Sequence, residues 1–342
     1  MNDEKTYALK SKRIKWFENP LISEDKVYWK PKRAIWFWLA VLSFAAAFGV
    51  NVFIAPLQET QILPYRIFLA SAVFLLLSLH AAALRNPFLR AKLYHYCQFI
   101  FALGIFLSVW DLLTDKTSVL PVPYFPSAAS VLQVMVLDHA LILKSALYSL
   151  RLFFAGFLTG IVLGVSSGIL IGWARQWDYW LSPIIKVSGI IPPVVWIPLA
   201  LSILPGSFST GVFLIFAASW FPVASMTANG ISSTPKKYFE AAQTFGAQKK
   251  YLLFKVAVPH AMPNIFMGIL TAAAFSFTTL IVSEMIGAKA GLGFYINWAK
   301  AWGAYSKMYA AIVIIALEFS VILLIIGIFR RRVLRWQKGI VK

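Results

Sequence analysis

The chain is poor in acid, in cysteine and in charge of any kind. Against 32 Lys and Arg it carries 13 Asp and Glu, and only 13% of its residues are charged. With 60% hydrophobic residues and a mean hydropathy of +0.73, its 342 residues are too apolar for a soluble domain and describe a polytopic membrane protein. The single cysteine, Cys97, excludes an internal disulfide and says little about redox compartment. His80, His95, His139 and His260 are scattered and lack metal-ligand spacing, so they read as surface or interface residues, and no metal site is expected. No G-x-x-x-x-G-K-[ST] run is present, so the chain does not hold ATP in a P-loop. No A-x-A site follows the first apolar run, which is therefore read as a retained span and not as a signal peptide.

What is present is a series of apolar runs. Residues 1–33 form a basic tail, with an amphipathic piece at residues 14–17 that either lies on the membrane surface or is simply solvated. The expected spans are 34–55, 67–84, about 96–113, 152–173, 183–204, 209–228, 265–288 and 308–329. The fold class is thus all-α with about eight transmembrane helices and both termini on one side. Placing the N-terminus inside leaves only Arg66, Lys116, Lys144, Arg151, Lys289, Lys300 and Lys307 outside. That asymmetry makes the termini cytoplasmic, and it explains the net charge of +19 without nucleic acid. Trp and Tyr clusters near the span ends fit interfacial belts.

The longest polar interruption in the second part of the chain, 232–263, reads as a helical knuckle. Thr234 suits an N-cap, Pro235 the first helical position, and Gly246 a left-handed turn. A second short helix, 247–256, is expected to be closed off by Pro259. Lys236, Lys237, Lys249, Lys250 and Lys255 keep the knuckle out of the bilayer.

The order Glu240-Ala241-Ala242, three residues, Gly246, nine residues, Val256-Ala257-Val258-Pro259 resembles the EAA loop of the permease subunits of ABC importers. Further residues resemble the branch that imports nitrate, sulfonate, taurine and bicarbonate: Val109-Trp110-Asp111, Phe125-Pro126-Ser127, Ser149-Leu150-Arg151, Ile190-Ile191-Pro192-Pro193 with Ile197-Pro198, and Ser283 to Ala288 followed by Gly291-Leu292-Gly293. The resemblance implies a type I importer permease fold at 96–342, with a coupling loop at 231–264 and two additional N-terminal helices at 34–95. It implies that Glu240, Ala241, Ala242, Gly246 and Pro259 face a cytoplasmic ABC ATPase, which holds ATP and Mg while this chain binds no cofactor. An extracytoplasmic substrate-binding protein and a second permease copy or close relative complete the implied assembly in the cell (inner) membrane. The chain departs from the branch in its first two spans and at Ser202 to Ser209 (SILPGSFS), where an outer turn of different sequence is usual.

Within the spans, Gly156, Gly160, Gly164, Gly168 and Gly172 recur every fourth residue, a row that lets another helix approach closely, within the subunit or between subunits. Pro192 and Pro193 interrupt the 183–204 span, read by itself as a packing kink and, within a permease, as a gate or pathway with Trp196 beside it. Asp111, Glu284 and Glu318 are carboxylates in or at the edge of spans; Glu284 is placed near the pathway or its outer gate, and Glu318 either lines the pathway or only packs. The expected function is a non-enzymatic permease for a small solute of the nitrate, sulfonate or bicarbonate type. Importers of vitamin precursors or other heteroaromatic solutes, a proton-coupled secondary transporter using Glu284 and Glu318, and a structural membrane assembly protein are the alternatives.

Overall fold

A computed structural model describes residues 32–55 and 62–336. Most of the basic tail, including residues 14–17, and the last lysines lie outside these residues. Among the described residues all regular structure is helical. The chain divides into two compact units between Gln133 and Val134, within helix α4 (Ala128–Leu137).

The first unit is built on three long helices, α1 (Lys32–Phe53), α2 (Leu63–Arg85) and α3 (Pro87–Asp111), the last continuing through a π-helical turn, Leu112–Lys116. Its core holds Phe37, Tyr65, Leu69 and Cys97, with the His80 ring stacked on Phe37 at 4.3 Å. Gly104 allows α3 to approach α1, where a β-carbon would meet Phe44 at 2.9 Å. Asp111 is fully buried and ties the same ends of the three helices together. It accepts a hydrogen bond from the Asn51 amide (3.3 Å), whose carbonyl oxygen in turn accepts one from Arg66 (3.1 Å).

The second unit is organised around α8 (Ser207–Ser232), whose apolar stretch is the most buried of the candidate spans. One side of α8 meets α5 (His139–Trp173) along the glycine row. A β-carbon at Gly156 would sit 2.6 Å from Ile215, at Gly164 2.8 Å from Val223 and at Gly172 2.7 Å from Ile231. The row therefore packs helices within the subunit. Both residue numbers rise together along the contact, so α5 and α8 run parallel. The connecting segment must then carry the chain back across the length of α5.

That return segment is the expected broken span, and the break is larger than a kink. Helix α6 (Arg175–Ile190) ends at Ile191, a 3-10 turn covers Pro193–Trp196, and α7 (Ile197–Ile203) leaves at 91° to α6. Pro192 and Pro193 have no N–H to offer the Ser188 and Gly189 carbonyls, which removes two consecutive helix bonds. Pro183, where the expected span 183–204 begins, lies inside α6, because residues 175–182 are already helical. Among the described residues seven helices are long and apolar enough to cross a membrane, or eight if the bent pair counts as one span.

On its other side α8 meets α11 (Val258–Gly287) in antiparallel fashion, with Gly230 against Ala261 and Gly268 against Met226, each at 2.9 Å from a built β-carbon. Helices α12 (Leu292–Ala301) and α13 (Tyr305–Val333) complete the unit.

Gly164→Val should destabilise the purified chain by about 3 kcal/mol or more, because its branched side chain has nowhere to go between Val223 and the Trp220 carbonyl. Gly327→Ala on α13, where a β-carbon meets open space, should be within about 1 kcal/mol of the parent. Melting temperatures in detergent read both.

Candidate functional site: the knuckle, its long helix and the Glu284 knot

The knuckle begins one residue later than its sequence signals indicate. Pro235 is the N-cap and α9 runs Lys236–Thr244, while the Thr234 hydroxyl donates backward to the Gly230 carbonyl at 3.5 Å and closes α8 instead. A hydroxyl four residues after a helix carbonyl competes for that acceptor, and here the α8 end wins. Gly246 adopts φ +79°, the left-handed conformation that glycine takes without cost. The next helix, α10 (Lys249–Tyr251), does not stop before Pro259. It passes through a π-helical segment, Leu252–Ala257, into α11, so that Lys249–Gly287 is one continuous helix of 39 residues. In the wider π turn the Val258 N–H reaches back to Leu253, which spaces the backbone just ahead of the proline ring.

The knuckle has a buried root and an open crown. Phe239 packs edge-on to Trp173 at 6.0 Å and joins Leu253 around the core of Ile231, Ala257, Ala261 and Ile265. Glu240 and Ala241 are exposed, Ala242 is half-buried, and Phe245 is 91% exposed beside Gly246. Ala241, Ala242, Phe245, Gly246, Tyr251 and Phe254 surround a hollow of about 970 Å³. Pro259, half-buried in the continuous helix, lies outside this crown. The aromatic members of the crown were missed in the sequence; Phe245, an aromatic between Thr244 and the turn glycine in a lysine-rich segment, was the signal.

At the far end of α11 Glu284 is fully buried. Its Oε2 accepts the Gly293 N–H at 2.8 Å and the Ser149 hydroxyl at 3.0 Å, and Ser149 Oγ accepts the Leu292 N–H at 2.9 Å. These are the first two N–H groups of α12, so a carboxylate from α11 and a hydroxyl from α5 together cap it. Gly291, at φ +114°, has no room for a β-carbon, which would fall on the Glu284 carboxyl. The knot joins three helices.

The other proposed pathway residues are partly gathered here. Glu318 on α13 lies within electrostatic range of Glu284, and both its carboxylate oxygens are buried without a hydrogen-bond partner. Leu201 on α7 is 3.4 Å from a β-carbon built at Gly287, three residues beyond Glu284. Pro192 is exposed, and Pro193 and Trp196 are half-buried at the bend. The knuckle residues sit at the opposite end of the long helix, about 50 Å away along its axis from Lys249 to Glu284.

Just before α5, Asp138 receives the Lys307 ammonium at 2.7 Å and the Tyr295 hydroxyl at 2.8 Å. Burial by itself would raise its pKa; the hydrogen bonds from Lys307 and Tyr295 and the ammonium charge outweigh that and hold the carboxyl below its ordinary value. Burial, then the hydrogen bond to Asp138, pushes the Tyr295 phenol up.

Residues 160–338 match the family described as binding-protein-dependent transport system inner membrane component. The chain belongs to this family. Among its members, the bicarbonate transport system permease protein CmpB of Synechococcus elongatus is 32% identical over 165 residues, 48% of this chain. The chain spans 58% of that relative's length. The nitrate import permease protein NrtB of Synechocystis sp. is 29% identical over 233 residues, 64% of this chain and 80% of the relative. The putative aliphatic sulfonates transport permease protein SsuC of Bacillus subtilis is 26% identical over 254 residues, 72% and 90%. Among solved structures, a chain of the methionine ABC transporter MetNI in an inward-facing conformation is similar at 22% identity and a TM-score of 0.48, covering 57% of this chain and 97% of that one. The family resemblance is borne out, as is the all-helical class.

Glu284→Ala should lower stability by about 2–3 kcal/mol, since it leaves a helix N-terminus uncapped in a buried site, and Ser149→Ala by about 1–2 kcal/mol. Thermal unfolding in nanodiscs measures both. For Asp138 the folded pKa is depressed, so its contribution is present above the ordinary value of about 3.9 and lost as pH falls below it. The stability gap between the parent and Asp138→Asn should therefore be full at pH 6 and shrink below pH 4.

Proposed function

We propose that this chain is the permease subunit of an ATP-driven importer, coupled through its knuckle to a separate cytoplasmic ATPase. The observation that carries the reading is the crown: an apolar, solvent-facing surface of Ala241, Ala242 and Phe245 around the left-handed turn at Gly246, on a lysine-rich segment of a membrane protein. Exposed apolar surface of this kind marks a protein–protein interaction site. Two small alanines admit close approach, Phe245 supplies an anchor for a pocket, and Glu240 an exposed acid at the edge.

The lever supplies the coupling. A single helix from Lys249 to Gly287 joins the knuckle to the Glu284 knot, so a displacement by the ATPase reaches the opposite end of the unit as a rigid-body motion. Pro259 sits in that lever behind the π turn and sets its direction. Pro192, Pro193 and Trp196 form the bend beside which solute passes, with Glu284 and Glu318 at its outer end. ATP and Mg belong to the ATPase. A binding protein delivers solute on the outer side, a second permease copy or close relative completes the pathway, and both termini are cytoplasmic, with Arg330, Arg331 and Arg332 closing the last span. The solute is small, of the bicarbonate, nitrate or sulfonate type that names the relatives.

Gly246→Arg separates docking from folding. A β-carbon at Gly246 meets nothing within 4 Å, so the variant should cost only about 1 kcal/mol for its positive φ, while its long side chain projects into the partner. Co-purification from native membranes should lose the ATPase at least tenfold with the amount of folded chain unchanged. Undiminished ATPase recovery and uptake would contradict the reading.

A further inference from the structure

A second hollow, of about 560 Å³, opens between the first turns of α5 and the segment leading into α12. Lys144, Arg151 and Lys289 line it together with Tyr148, Phe294 and Trp298. All three charged residues of the lining are cations, and none of them has an ion-pair partner among the described residues. Two carboxylates lie near the lining: Asp138, bonded to the lining residue Tyr295, is already taken by Lys307, and Glu284, bonded to Ser149 beside Tyr148, is already taken by Gly293 and Ser149. Lys144, Arg151 and Lys289 are exposed, so solvent screens their mutual repulsion, and an anion seated among them gains charge-assisted hydrogen bonds from side chains of one sign.

The walls are fixed. Tyr148 precedes Ser149, and Lys289 and Ala290 precede Gly291, so two sides of the hollow are held by the Glu284 knot. Arg151 is held over the Phe208 ring at 5.1 Å, which sets the direction of its guanidinium. The size also discriminates. A bare three-oxygen anion needs far less room, whereas hollows of roughly 300–1,000 Å³ with mostly apolar linings suit a ligand with a body.

We propose that this hollow binds an oxyanion that carries an apolar or aromatic group, the chemistry of an organic sulfonate, carboxylate or phosphate ester. Lys144, Arg151 and Lys289 take the oxygens, and Tyr148, Phe294 and Trp298 take the body. On the topology proposed above the hollow lies on the outer side, so its service as an entry station rests on the importer reading; the binding itself does not. The same headgroup chemistry is available from a free solute and from an anionic lipid of the outer leaflet.

The test uses the full chain in nanodiscs without its partners. Labelled benzenesulfonate and labelled nitrate are titrated in zwitterionic lipid, and retained phosphatidylglycerol is measured by native mass spectrometry in discs that contain it. Lys144→Gln, Arg151→Gln and Lys289→Gln are compared with the parent, and Lys144→Arg serves as the charge-retaining control, all checked by melting temperature. Benzenesulfonate binding that exceeds nitrate binding at least tenfold and falls about tenfold with each neutralisation, while Lys144→Arg retains it, supports the site with a solute as its source. Phosphatidylglycerol retention lost with the same neutralisations, without benzenesulfonate binding, supports it with lipid as its source. Parent-like binding and retention in all three neutralised variants, no binding of either, or nitrate bound as well as benzenesulfonate overturns it. Because no ATPase takes part, these outcomes are independent of whether the knuckle docks one.

Discussion

The second unit depends on one contact, the parallel pairing of α5 with α8. In lipid there is no hydrophobic drive between helices, so close packing must supply the attraction, and five glycines spaced by four supply it here by letting Val212, Phe216, Trp220, Ala224 and Ala228 carbonyls lie against the α5 backbone. Parallel pairing also imposes a debt of topology. The chain must return across the unit between α5 and α8, and the return segment is the one that breaks at Pro192 and Pro193 and turns through 91°. Irregular backbone at that depth is tolerated where protein or a water-lined cavity satisfies its carbonyls. The pathway proposed at the bend thus follows from the glycine row.

Helix α8 has a second partner in α11, and through it the unit gains a rigid link between two distant ends. At one end Phe239 and Leu253 root the knuckle on Ile231 and Ala261. At the other end Glu284 and Ser149 cap α12. A carboxylate used in this way is costly to bury and difficult to replace, because it accepts the Gly293 N–H and orients the Ser149 hydroxyl that accepts the Leu292 N–H. Glu284 therefore holds the C-terminal end of α11 to α5 and α12, which gives the long helix a fixed point. Glu318, with two buried and unpartnered oxygens beside it, has no such structural employment.

The all-helical class, the apolar spans and the family were legible because each rests on composition or on a spacing that survives without tertiary context. Gly246 was legible for the same reason: a left-handed turn asks for glycine locally. What escaped was decided by competition between neighbours. Thr234 had two backbone ends within reach and served α8, and Pro259 did not end its helix because the preceding π turn made room for it. The span expected from Pro183 begins at Arg175 in the structure, eight residues earlier. The Ser149–Glu284 knot joins residues 135 apart, and the basic hollow joins Lys144 to Lys289. Neither has a local period or motif, so only the fold reveals them.

The central claim is that the crown around Phe245 is the surface through which a separate ATPase drives this chain. The most direct measurement places a photo-crosslinking amino acid at Phe245 in the full chain and irradiates native membranes. A single ATP-binding partner joined to this chain from Phe245, and not from an equivalent probe at exposed Leu324 on α13, is the predicted result. Crosslinks only to lipid or to unrelated proteins, in membranes that take up the solute, would contradict it.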